Sequence, residues 1–295
     1  MGQQIDPNTI ANRFRQEIRQ DVQSIGKNLN LVGFLCSKEG PSRTYAEYTN
    51  KGCQDVGIHF DLRSVERVDL ESAIQDANSD ANVHGMIIYY PVFGTEHDNY
   101  IKDLVHCSKD IEGLSSYWIR KLYENNRVDS HGKKSILPCT PLAIVKILED
   151  CGAYSSDALP LRDKTITIFN RSEVVGRPLA SMLTHDGAKV YSFDINSTLE
   201  LHNGRISESD VSRSTALATS DIVITGVPTK DFDLIKADEI SPQTICLNFS
   251  TFKNFSTEAQ EKAHLFVPRV GPLTVTMALR NTLRLYHDHH KGPNT

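Results

Sequence analysis

Asn170-Arg171-Ser172, Val175-Gly176 and Asp194 are residues whose types and spacing could hold a dinucleotide. The β-branched Thr165, Ile166, Thr167 and Ile168 read as a buried strand that runs into the polar turn. Gly176 and Pro178 open a segment in which Leu179, Met182 and Leu183 recur at helical spacing. A second strand, Lys189–Phe193, ends on Asp194, about twenty residues past the turn. In such a βαβ unit the free N–H groups and dipole of the helix N-terminus favour a pyrophosphate. The carboxylate after the second strand accepts hydrogen bonds from ribose hydroxyls. Only Gly176 remains of the usual three-glycine fingerprint, so the local pattern fits an ordinary βαβ crossover ending in a surface acid equally well.

The elements that must position these groups alternate along the chain. Ile10, Phe14, Ile18 and Val22 mark an amphipathic helix over 6–25. Residues 30–36 read as a strand, and Ser42 as the cap of a helix running to Val56. Residues 57–63 form the next strand, 70–77 a helix, and 83–90 a strand stopped by Pro91. A short helix near 99–105 and a polar turn at Lys109–Gly113 follow. Residues 124–134 read as a mobile surface loop. Pro141 starts a helix through Leu148, three more strands cover 221–226, 243–248 and 264–267, and a last helix spans 272–286. The expected fold class is α/β: two α/β domains, the second a Rossmann-like NAD-binding domain, with a cleft expected between them. The expected division is 1–141, with 272–295 returning to it, and 142–271.

A chain of 295 residues with 39% hydrophobic and 23% charged residues fits an ordinary globular protein. The formal charge of -5 argues against a nucleic-acid partner, and no stretch has the length and apolarity of a membrane span. Residues 1–25 carry acids and arginines throughout, unlike a signal peptide. The six cysteines show no metal-ligand spacing, which together suggests a cytoplasmic protein without a bound metal.

Separated motifs occur in a telling order: Ser42-Arg-Thr-Tyr45 with Cys53 and Gly57-Ile58, Lys109-Asp-Ile-Glu-Gly113, Pro138-Cys-Thr-Pro141, Arg171-Ser-x-x-Val175-Gly176 and Val270-Gly-Pro-Leu-Thr274. This set resembles the methylenetetrahydrofolate dehydrogenase/cyclohydrolase family, most closely its fungal monofunctional NAD-dependent members. The resemblance implies oxidation of 5,10-methylenetetrahydrofolate to the methenyl form, a folate substrate with or without a polyglutamate tail, and a homodimer.

The departures are as informative as the matches. Where the bifunctional family places a Lys for the cyclohydrolase step stands Thr49, and where it places the cooperating Gln stands Tyr89. Lys51 lies nearby, but two helical residues are a rotation of roughly 200°. Hydride loss from the methylene bridge needs only a well-placed acceptor, whereas hydrolysis of the product needs a group that activates water and moves protons. Loss of both groups therefore points to a dehydrogenase without cyclohydrolase activity; retained hydrolysis and a non-catalytic folate- or nucleotide-binding paralogue are the alternatives. Asp194 would repel a 2′-phosphate and so favours NAD, although Arg171 remains from the NADP pattern.

Further roles come from the resemblance, each set against a plainer reading. Tyr45 would border the folate rings; otherwise it is a half-buried helical tyrosine. One of Asp110 and Glu112 would hydrogen-bond the pterin, or both belong to a solvated acidic turn. Pro272 and Thr274 would border the substrate, or simply start a helix. Thr140, Gly226 and Val227 would contact the cofactor, and Arg269 would meet a phosphate or the folate glutamate. Cys139 has no base placed to activate it and reads as packing. His287-Asp-His-His290 reads as solvated charge.

Overall fold

The computed structural model describes residues 2–37, 40–128 and 132–291. The chain runs β1 (Gln3–Gln4), α1 (Pro7–Ile25), β2 (Asn30–Leu35), α2 (Pro41–Val56), β3 (His59–Ser64), α3 (Leu70–Ser79), β4 (Gly85–Ile88), α4 (His97–Leu104) and α5 (Ser116–Tyr123). It continues through α6 (Cys139–Asp150), β5 (Thr165–Phe169), α7 (Gly176–His185), β6 (Lys189–Phe193), β7 (Thr198–His202), β8 (Arg205–Glu208) and α8 (Arg213–Thr219). β9 (Ile222–Thr225), β10 (Ile245–Asn248), α9 (Thr257–Lys262), β11 (Leu265–Val267) and α10 (Gly271–Leu285) complete it, and a π-helical turn at Tyr286–His290 prolongs α10.

Two compact units result, one of Ala11–Cys139 with the chain from Thr274 on, the other of the residues up to Ile10 with Thr140–Leu273. In the first, a three-stranded parallel sheet has the order β3-β2-β4. Val32 and Phe34 of β2 and Met86 and Ile88 of β4 pack on Leu70 and Ile74 of α3. α10 buries Val275, Ala278 and Leu279, and Arg15 of α1 reaches Thr276 (3.1 Å) while pairing with Asp55 of α2 (3.3 Å). Gly40, not Ser42, precedes the first turn of α2, because Pro41 already supplies a helical φ there; Ser42 Oγ reaches the Tyr90 carbonyl instead (3.4 Å).

The second unit holds an eight-stranded sheet, β1-β11-β10-β9-β5-β6-β7-β8, parallel except for the β6-β7-β8 meander. Its central strands β5, β9 and β10 are buried on both faces, as in a sheet covered on both sides, with the buried Thr167 satisfied by Ser220 (2.7 Å). The stretch Gln3–Gln4 belongs here because it pairs with Leu265–Phe266 of β11, a contact with no local signature. The β7–β8 hairpin does carry one, the Asn203-Gly204 turn between alternating strands. Ser212 and Ser256 cap α8 and α9 by accepting backbone N–H bonds from Thr215 and Ala259. Within the expected loop 124–134, Val128 pairs with Lys134 in an antiparallel bridge; residues 129–131 lie outside the described residues.

Candidate functional site

In the second unit the chain leaves β5 toward β6 on one side and returns as β9 on the other. The carboxyl ends of β5 and β9 thus flank the point where strand order reverses, the usual crevice for a ligand in an open α/β sheet. Asn170 spans it: its Nδ2 donates to the Gly226 carbonyl (2.9 Å), and its Oδ1 accepts from Ser172 N–H (3.1 Å) and Oγ–H (2.7 Å). Gly176 sits so close that a Cβ there would stand 2.1 Å from the Asn170 carbonyl oxygen, so no larger residue fits without moving the turn. Gly226 is likewise closed in by Phe249, whose ring would lie 1.9 Å from an added Cβ.

The start of α7 differs from a helix end with all its N–H groups free. Ser172 Oγ faces the N–H groups of Val175 (3.3 Å) and Gly176 (3.4 Å), and its carbonyl accepts from Arg177 (3.0 Å). At the β9 end, the fully buried Asn254 accepts from Val227 N–H (3.0 Å) and donates to the Val227 carbonyl (3.2 Å). Nothing in the sequence near Asn254 announces this role, since its partner is 27 residues away.

Asp194 is exposed just after β6, where it accepts from the N–H of Ile195 (2.9 Å). Its own N–H donates to the Ser197 carbonyl (3.0 Å), closing a tight turn. Arg171 reaches the same turn through Ser192 and Ser197. Thr140 lies in the first turn of α6, partly exposed.

The first unit gathers a second set of groups. Tyr45 and Thr49 lie one turn apart on α2, and Tyr89 follows β4. The Tyr45 and Tyr89 rings meet edge to face at 5.7 Å. Thr49 is fully buried and donates to the Tyr45 carbonyl (2.9 Å), whereas Lys51 points to solvent. Among the described residues the buried Tyr89 hydroxyl makes no hydrogen bond of normal geometry, although the Thr49 hydroxyl approaches it closely enough to act as a weak hydrogen-bonding neighbour that lowers its pKa. Burial, with Glu112 adding to it, raises the pKa of both tyrosines well above the ordinary value.

Lys109–Gly113 is a buried turn, not a solvated one. Lys109 Nζ closes the end of α3 by donating to the carbonyls of Ala77, Asn78 and Asp80 (2.8, 2.8 and 2.7 Å). Asp110 accepts from the backbone N–H groups of Glu112 (3.1 Å), Gly113 (2.9 Å) and Ser115 (2.8 Å), so its oxygens hold the turn itself. Among the described residues Glu112 has only the weak Ile88 N–H bond (3.3 Å), and burial with the nearby Asp110 charge pushes its pKa up to about 8. Glu112, rather than Asp110, is therefore the carboxyl available to a ligand.

Cys139 is buried, and its thiol contacts the Ile111 carbonyl (3.3 Å); burial raises its pKa far from that of a nucleophile. Asn281 on α10 reaches the same carbonyl (2.8 Å) and that of Leu137 (3.1 Å). Pro272 and Thr274 occupy the first turn of α10, Thr274 buried; Arg269 is exposed before it. Within the histidine tail His290 is docked, its Nε2 3.0 Å from the Ser108 carbonyl and its ring 5.4 Å from that of His84, whereas His287 and His289 are exposed. Among the described residues no group of His, Cys, Asp or Glu could hold a metal ion.

A Rossmann-like sheet with a polar turn after one strand and an acid after the next is the arrangement of a dinucleotide-binding domain. Residues 5–112 match the catalytic domain of tetrahydrofolate dehydrogenase/cyclohydrolase, and residues 138–290 match its NAD(P)-binding domain. The chain belongs to the tetrahydrofolate dehydrogenase/cyclohydrolase family. It is 43% identical to a methylenetetrahydrofolate dehydrogenase [NAD(+)] of Dictyostelium discoideum, covering 96% of this chain and 94% of that one. Identity to the enzyme of the same name from Saccharomyces cerevisiae is 41%, over 96% of each chain. The solved structure of the NAD-dependent 5,10-methylenetetrahydrofolate dehydrogenase from S. cerevisiae matches with a TM-score of 0.89, covering 97% of this chain and 98% of that one.

Proposed function

We propose that this chain oxidises 5,10-methylenetetrahydrofolate to 5,10-methenyltetrahydrofolate with NAD and does not hydrolyse the product. The observation that carries the reading is its similarity, across nearly the full length, to enzymes named for that NAD-dependent dehydrogenation. NAD, when bound, supplies the hydride acceptor. Asp194 accepts from the adenosine ribose hydroxyls, while the Asn170–Ser172 turn and Val175-Gly176 border the pyrophosphate. Gly226, Val227 and Thr140 border the nicotinamide half, and Asn254 holds the Val227 backbone still for it. On the folate side Tyr45 borders the aromatic rings and Glu112 hydrogen-bonds the pterin, with Pro272 and Thr274 at the edge of the substrate.

The absence of hydrolysis is supported by what surrounds Thr49 and Tyr89. A threonine hydroxyl bonded to a backbone carbonyl and a tyrosine whose pKa is raised cannot activate water near neutral pH. One observation favours a second reading: Glu112, with a pKa near 8, could exchange a proton in that range and retain hydrolysis. The non-catalytic alternative predicts no turnover at all. The reading includes a folate with or without a polyglutamate tail, a homodimer and a cytoplasmic location. Among the described residues no helix is long and apolar enough to cross a membrane.

Progress curves with 5,10-methylenetetrahydrofolate and either NAD or NADP, following reduced nicotinamide and methenyl product together, test all three readings. Reduction of NAD with accumulation of the methenyl product is expected. Disappearance of added methenyltetrahydrofolate faster than in buffer would establish the hydrolytic reading, and silence with both cofactors the non-catalytic one.

A further inference from the structure

Arg171 stands beside the acid expected to meet the adenosine ribose, where an arginine commonly accommodates a 2′-phosphate. Its guanidinium is already engaged. A guanidinium offers two edges of paired, parallel N–H groups, and bidentate recognition of a phosphate needs one of them. Ser192 occupies the first edge: Nε–H points to its Oγ (3.3 Å) and Nη2–H to its carbonyl. Ser197 occupies the second, with Nη1–H donating to its Oγ (2.7 Å) and Nη2–H to its carbonyl (2.9 Å). Only one N–H, on Nη1, is left outside these contacts. Ser192 is buried in β6 and cannot give way easily, whereas Ser197 is exposed. The Ser197 carbonyl also accepts the N–H of Asp194, so arginine and acid are tied to the same four-residue turn.

We infer that Arg171 is a positioning residue for the Asp194 turn and that Ser197 determines cofactor specificity by withholding the arginine from a 2′-phosphate. This rests on the NAD reading above and deepens it. Asp194 repels the phosphate, and Ser192 and Ser197 remove the partner that would otherwise offset the repulsion. Replacing the acid alone therefore leaves the guanidinium engaged.

Calorimetric binding of 5′-ADP and 2′,5′-ADP to the full chain tests this without depending on folate turnover. The wild-type chain is expected to bind 5′-ADP and to bind 2′,5′-ADP at least about tenfold more weakly. Arg171→Lys should lose roughly tenfold in 5′-ADP affinity, because an ammonium cannot fill both edges and the turn loosens. Asp194→Ser should gain little for 2′,5′-ADP, and Asp194→Ser with Ser197→Ala should gain about fivefold more: the carbonyl of residue 197 keeps Nη2, so the released Nη1 group meets the phosphate through its own N–H groups alone. That gain of affinity is a readout that simple destabilisation could not produce. Equal gains in the single and double variants, or unchanged 5′-ADP affinity in Arg171→Lys, would overturn the inference. Failure of the wild-type chain to bind either probe would overturn the cofactor reading itself and this inference with it.

Discussion

The two site regions handle polar groups in opposite ways. Around Asp194, donors and acceptors are matched: Arg171 is held by two serines, Asn170 bridges two turns, and Asn254 chelates the Val227 backbone. Around Tyr89 they are not: among the described residues its buried hydroxyl has no hydrogen bond of normal geometry, and Glu112 keeps a proton that an ordinary carboxyl would release. A satisfied network specifies one geometry, which suits the recognition of a cofactor with fixed hydroxyls. An unsatisfied cluster is costly on its own and is relieved when a ligand brings the missing partners. The region proposed for the nucleotide is thus organised in advance, and the region proposed for the folate is left for its substrate to complete.

The largest effect should come from disturbing the organised region. Gly176→Ala places a methyl against the Asn170 carbonyl and must displace the turn. We expect kcat/KM for NAD to fall by roughly a hundredfold, in keeping with overpacking costs of 1–3 kcal/mol. A variant within twofold of wild type in steady-state kinetics would show that the turn is pliable and that the contrast between the regions is false.

An intermediate effect belongs to Glu112. Below its ordinary pKa of 4.5 the folded and unfolded chains both carry the proton, but up to about pH 8 only the folded chain retains it. Wild-type stability should therefore decline as pH rises through that window. Glu112→Gln removes the titration, so thermal melts should show little difference from wild type at pH 5. By pH 8.5 the variant should be favoured by on the order of 1–2 kcal/mol. A difference that stays constant with pH would place the carboxyl in water. The smallest effect is expected for Tyr89→Phe, which deletes a buried hydroxyl that has no hydrogen bond of normal geometry among the described residues. Denaturant unfolding should find it neutral or stabilised by up to about 1 kcal/mol; a clear loss of stability would reveal a bond to that hydroxyl.

Much of the scaffold was legible because parallel strands and amphipathic helices write their burial into local periodicity. The β5–α7–β6 unit, with Asp194 after it, could be read from one short stretch for that reason. The β7–β8 hairpin was readable too, from Asn203-Gly204 and its alternating flanks, and its omission was a missed turn signal. Helix α5 offered a weaker one, an amphipathic stretch of only 8 residues with Trp118 and Leu122 buried. β1 could not be found locally, since a two-residue strand exists only through its partner β11.

The sequence by itself determined the class of fold and the residue types on which the proposed reading rests: Thr49, Tyr89 and an acid after β6. Those are matters of residue type and local order. Which carboxyl of the Lys109–Gly113 turn remains for a ligand, whether Arg171 is available, and what holds Val227 were decided by the tertiary structure alone. Each depends on a side chain meeting a backbone group that only folding brings near, as when Asn254 reaches Val227. Hydrogen bonds of that kind are directional and long-range in sequence, and they leave no periodicity to read.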